Sequence, residues 1–129
     1  MPIIGFSEKD ILRGTIVTPA WYRVHIEGVG EKPSRDGNSI NYVVEGTIVM
    51  NAEDGSKDFA GVPLEWNFNS KAISFMIPYF AAHGVEIEAG KRYELQATAG
   101  ADIDIFVEND IWEGRPVNRV NHKYRKMIS

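Results

Sequence analysis

Binding an unpaired nucleic acid strand takes flat rings on which bases stack and cations that meet the phosphates. This sequence carries both in segments that alternate. The rings are Trp21, Tyr42, Trp66, Phe106 and Trp112; the cations are Arg23, Lys32, Arg35, Arg115 and Arg119. Trp21 is the leading stacking candidate, because alternation sets it with Arg23 and His25 and opposite Tyr22, Val24 and Ile26. Tyr42 and Trp66 share parity with aliphatic neighbours, so core burial competes with stacking there. Phe106 is the one ring on an otherwise acidic face, and Lys32 and Arg35 fall in a polar loop where plain solvated charge is the competing role.

The cations also form an island. Arg115, Arg119, Lys123, Arg125 and Lys126 fall within twelve residues of a chain whose formal net charge is -4. The preceding stretch, 86–113, holds eight carboxylates against Lys91 and Arg92. A polyanion would on average be repelled elsewhere and is expected to touch the C-terminal strand. The competing role is internal neutralisation. Ile103, Ile105, Val107 and Ile111 alternate with Asp102, Asp104, Phe106, Glu108 and Asp110, and Glu113-Gly114 suits a two-residue hairpin turn. That turn puts Trp112 opposite Arg115, Asp110 opposite Val117, Glu108 opposite Arg119, Val107 opposite Val120, Asp104 opposite Lys123 and Asp102 opposite Arg125. Ion pairs of this kind contribute about 0.2 to 1 kcal/mol each.

Other chemistries fit less well. The four carboxylates of the acidic strand could hold a divalent cation, but neighbours at i and i+2 lie about 7 Å apart and the opposing cations would fill the same face. His25, His83 and His122 have no ligand or triad spacing. There is no cysteine, no elbow motif around a serine and no phosphate-binding glycine fingerprint, since Gly28-Val29-Gly30 runs into Glu31-Lys32-Pro33 and opens no helix. The expectation is a non-catalytic protein with no metal and no cofactor.

The elements that must position these residues follow from the periodicity. Ser7 and Gly14 bracket a short capped helix. Strands are expected at 21–29, 40–50 with Ile40, Tyr42, Val44 and Ile48 inward, 62–68 with Leu64, Trp66 and Phe68 inward, and 91–98 with Tyr93, Leu95 and Ala97 inward. The 103–112 and 117–125 hairpin completes the chain. Residues 71–83 read as a buried helix kinked at Pro78. With 129 residues and 43% hydrophobic content the chain fits one domain, 1–129. It has no apolar run long enough for a membrane span and no leader-like N-terminus, which predicts a cytoplasmic protein. Strands, a helix after the third, then more strands is the order of the oligonucleotide/oligosaccharide-binding (OB) barrel, so the expected fold is an all-β-dominated, five- to six-stranded antiparallel barrel with a helix between strands 3 and 4. A mixed antiparallel sheet with one packed helix is the alternative.

Five segments then converge: Gly5-Phe6-Ser7, Ala20-Trp21-Tyr22-Arg23-Val24, the loop 32–39, Trp66 to Ser70 (WNFNS), and Trp112 to Val120 (WEGRPVNRV). In these the chain resembles small phage-encoded single-stranded DNA-binding proteins, over about residues 6–124. The resemblance implies single-stranded DNA as partner, an accessory role in phage DNA replication or recombination beside other proteins of those processes, self-association left open, and a host-cytoplasmic location. Many such proteins end in an acidic recruiting tail; this chain ends KYRKMIS, so that recruitment is in doubt. A structural or protein-interaction module without nucleic-acid binding, built on Phe75 to Ala82 and the C-terminal hairpin, is the alternative function.

Overall fold

A computed structural model describes residues 2–127. Five strands, β1 (Ala20–Pro33), β2 (Ile40–Asn51), β3 (Pro63–Asn69), β4 (Asp102–Trp112) and β5 (Arg115–Arg125), form one antiparallel sheet in the order β3-β2-β1-β4-β5. The sheet is open: β3 and β5 are its two edges and are not hydrogen-bonded to each other. Helix α1 (Glu8–Arg13) precedes the sheet and α2 (Met76–Ala82) lies between β3 and β4 in the chain. The architecture is therefore mostly β with one packed helix, and the expected barrel does not close. Among the described residues no helix is long and apolar enough to cross a membrane.

The alternating apolar residues do what alternation requires. Tyr22, Val24 and Ile26 of β1, Val44 and Ile48 of β2, Leu64, Trp66 and Phe68 of β3, and Ile103, Ile105 and Val107 of β4 are all buried. Ile40 departs from expectation and is exposed at the β2 tip, while Tyr42 is half-buried. Two irregularities in the β1–β2 pairing offset one another. The register slips between Arg23 and Val24 and back between Ile26 and Gly28. Glu27 is the extra residue of the second slip, and it changes the phase of β1 so that Val29, rather than a glycine, packs against the core. Gly46 sits inward between Val24 and Trp66; a Cβ there would lie 2.6 Å from Val24 Cγ1 and 3.1 Å from the His25 carbonyl oxygen.

The helix expected at 71–83 is two pieces. Ser70–Phe75 is a 3-10 segment with non-helical dihedrals at Ala72, and α2 begins only at Met76. Pro78 is thus the third residue of α2, in the first turn, where its missing N–H would have no intrahelical partner anyway. The break falls at Ala72, not at Pro78. The strand expected at 91–98 is also absent. Instead Leu95–Thr98 is a single 3-10 turn in which Thr98 Oγ1 donates to the Leu95 carbonyl at 2.8 Å. Tyr93 and Leu95 still pack against the core, but Ala97 is exposed and Thr98 is buried in its place. At the N-terminus, Ser7 and Asp10 form the reciprocal capping pair, and Gly14 ends α1 as expected.

Two consequences can be measured. Gly46→Ala should destabilise the chain by about 1 to 3 kcal/mol, the cost of overpacking a filled core, read as a lower urea midpoint. An unchanged midpoint would show that the sheet yields there. Burial pushes the imidazoles of His83 and His122 below their ordinary pKa, so the unfolded chain takes up protons first as pH falls below about 6.5. Stability is expected to be full above that pH and to fall toward the lower folded-state values. Replacing both residues by Gln should flatten urea midpoints between about pH 6.5 and 5.5, a range that starts at the ordinary histidine pKa.

Candidate nucleic-acid interface

The β4–β5 hairpin turns at Glu113 and Gly114, both at positive φ (50° and 77°), as the two-residue turn demands. From the turn inward the expected register holds, with Trp112 opposite Arg115, Asp110 opposite Val117, Glu108 opposite Arg119 and Val107 opposite Val120. It then breaks. Ile105 pairs with Tyr124 and Asp104 with Arg125, so Phe106 faces a stretch of β5 carrying two extra residues, with His122 at φ 54° inside it. The expected pairings Asp104–Lys123 and Asp102–Arg125 are therefore corrected. Because the bulge adds an even number of residues, Tyr124 remains on the core side.

The basic ladder finds carboxylates, and of its three cations only Arg125 takes the one directly opposite. Arg119 Nε lies 2.7 Å from Asp110 Oδ2, two residues along the strand from its facing residue Glu108. Lys123 Nζ lies 3.5 Å from Glu108, and Arg125 Nε lies 3.6 Å from Asp104 Oδ2. Asp104 is 0% exposed and is held on its other side by Arg23 Nε at 3.2 Å. Beside it, the Arg125 guanidinium lies 4.2 Å over the Trp21 ring, and Trp21 meets Phe106 edge-on at 5.6 Å. Lys123 lies 5.3 Å over Phe106. His25 Nδ1 completes the row, 2.6 Å from Asp102. On this face of β1, β4 and β5, rings and cations are already engaged with one another.

A second assembly lies between the two sheet edges. Glu65, Trp66 and Asn67 of β3 face Trp112, Arg119 and His122 of the hairpin across a cleft of about 600 Å³. Trp112 is 57% exposed, whereas Trp66 is buried in the cleft floor. Among the described residues Arg115 makes no ion pair, and the turn sets it opposite Trp112. Asn118 ties the hairpin to the preceding chain, accepting from the Val17 N–H and donating to the Thr15 carbonyl, both at 2.9 Å. The hairpin tip is thereby positioned rather than free to swing.

The remaining candidates do not converge there. Arg35 lies with Lys71, Ser34 and Asn69 in a shallow depression beside the 34–39 loop. Lys32 shares a groove with Glu45 and Glu65, which face each other across β2 and β3. Tyr42 lines a separate apolar groove, with Ile73, Ile77 and Phe80. Trp21 and Arg23 belong to the engaged face. Trp66, Trp112 and Arg119 are the candidates brought together, with Arg115 adjacent. Sequence reasoning did not identify Asn67, His122, Lys71 or the cover that Arg125 gives Trp21; of these only the even spacing of Arg125 within the basic ladder offered a signal. No protein-family model matches the sequence, and no curated protein matches it.

A double-mutant cycle on Asp110 and Arg119 should give a stability coupling of about 0.2 to 1 kcal/mol, and the cycle on Glu108 and Arg119 a smaller one. The opposite ranking would show that the directly facing carboxylate, and not its neighbour, carries the interaction.

Proposed function

We propose that the chain binds single-stranded DNA without catalysing a reaction, through the hairpin tip and the cleft beside β3. One observation carries this reading: Trp112 stands 57% exposed at the rim of that cleft, with Arg119 lining it and Arg115, in no ion pair among the described residues, facing Trp112 across the turn. An exposed ring next to cations offers stacking and phosphate contact at once. The strand order supports an OB-type assignment. It runs as in that fold, with the helix after β3, and OB domains are commonly only partly closed, using the loop after β1 and the β4–β5 loop around the ligand. Here Arg35 is on the first of these loops with Lys32 at the end of β1 before it, and Trp112 and Arg115 flank the second.

The outer face of β2 and β3 is a poorer track, because Glu45 and Glu65 face each other on it. Trp21 becomes a second stacking position only when the Arg125 guanidinium lifts, or when a base stacks on that guanidinium. The sequence resemblance extends the proposal to an accessory of phage DNA replication or recombination. A protein-interaction module is the second reading, favoured by the exposed apolar groove beside α2.

A labelled unstructured oligonucleotide should bind with an affinity that falls with salt, at a log-log slope of about -0.7 per phosphate neutralised. Trp112→Ala should weaken binding by about 1 to 3 kcal/mol, the worth of one stacked base, in a variant that stays folded. Arg115→Ala should lower the slope by about one phosphate, and Arg119→Ala should do less because Asp110 already holds it. No binding at about 20 mM salt, where counterion release most favours it, would end the proposal.

A further inference from the structure

Two apolar surfaces of this chain have nothing on them. The first is the arm ahead of α1, where Ile3 is 98% exposed, Phe6 73%, and Ile4 and Ile11 are exposed as well; α1 buries no residue at all. The second is a groove of about 620 Å³ formed by Val29, Tyr42, Ile73, Ile77, Phe80 and Leu95. Its rim is apolar too, since Ile73 and Ile77 are each about half exposed. Contiguous exposed apolar area on this scale marks an interaction surface.

The arm is not seated in the groove of its own chain, since Ile3, Ile4 and Phe6 are all exposed. Leu12 packs on Gly61, whose N–H donates to the Ile48 carbonyl. Tyr42 is six residues further along β2, about 20 Å at the strand rise. With α1 wound, Phe6 stays within roughly 10 Å of Leu12, given a rise of 1.5 Å per helical residue. The charges flanking the two surfaces can be matched: Glu8 and Lys9 follow the arm, and Lys91 and Glu31 line the groove.

We infer that the arm Ile3 to Phe6 of one copy docks in the apolar groove of a second copy. Arm and groove lie on different parts of the molecule, so the contact is head-to-tail, leaving one free arm and one free groove for further copies. The contact needs no nucleic acid. If the proposed strand binding holds as well, such an array gives cooperative coverage of the strand.

Sedimentation of the full-length chain up to about 1 mM, the weak end of specific affinities, tests this without DNA. Phe6→Asp removes the arm, and Ile77→Asp blocks the groove at the second position of α2, where an acid suits the helix start. The parent should associate, each variant alone should be monomeric, and an equal mixture should recover dimers but nothing larger, because only one arm and one groove remain intact. Ile3→Asp and Ile73→Asp replace either variant should it unfold. A monomeric parent, association surviving either substitution, or a mixture that stays monomeric would each overturn the inference.

Discussion

The two edges of the sheet are joined by rings instead of backbone hydrogen bonds, and most of the structure follows from that. Tyr79 of α2 is fully buried between them, 5.5 Å from Phe68 and 6.4 Å from Trp66 on the β3 side, and 5.3 Å from Tyr124 on the β5 side. A phenol buried this deeply must have a partner for its hydroxyl. It has one in Thr98 Oγ1 at 2.8 Å, and Thr98 passes the bond to the Leu95 carbonyl. Burial pushes the Tyr79 hydroxyl pKa up to about 12, so it stays protonated and remains a donor throughout the neutral range. One side chain thus fixes α2, the turn 95–98 and the spacing of both edges.

Because rings close the sheet, the edges stay far enough apart to leave a cleft. Parallel pairing of β3 with β5 would fill the space that Trp112, Arg119 and Asn67 now border. The bulge on β5 belongs to the same arrangement. His122 is turned to positive φ, where its ring stacks on Phe75 at 5.0 Å and meets Phe68 at the same distance. Such a conformation is uncommon for a residue other than glycine and persists where surrounding packing determines it.

The parts legible in the sequence were those decided by local rules. The inward set of β3, the Glu113-Gly114 turn and the Ser7 cap each depend on residues within a few positions of one another. The parts misread depend on partners far away. Residues 91–98 alternate well enough for a strand, but Thr98 is claimed by Tyr79, nineteen residues earlier, and a residue bonded back to Leu95 cannot also extend. The lower half of the hairpin register was lost for the same reason: nothing near His122 announces that Phe68 and Phe75 will hold it. Of the site, residue types were legible and assembly was not. Trp66, Trp112 and Arg119 meet only because the open sheet curls until its edges approach.

Electrostatics then decides which surface is left for a ligand. The hairpin's opposite charges satisfy one another along β4 and β5, and Asp104, out of solvent between Arg23 and Arg125, is the most constrained of them. Withdrawing Arg125 leaves that carboxylate one cation short in a buried position, a costly state. The engaged face of Trp21 and Phe106 is therefore expensive to open, whereas the Trp112 rim offers its ring and Arg115 with nothing to displace. No residue lines both the cleft and the apolar groove. The two surfaces nevertheless adjoin, because Phe75, between the groove residues Ser74 and Met76, stacks at 5.0 Å on His122 of the cleft.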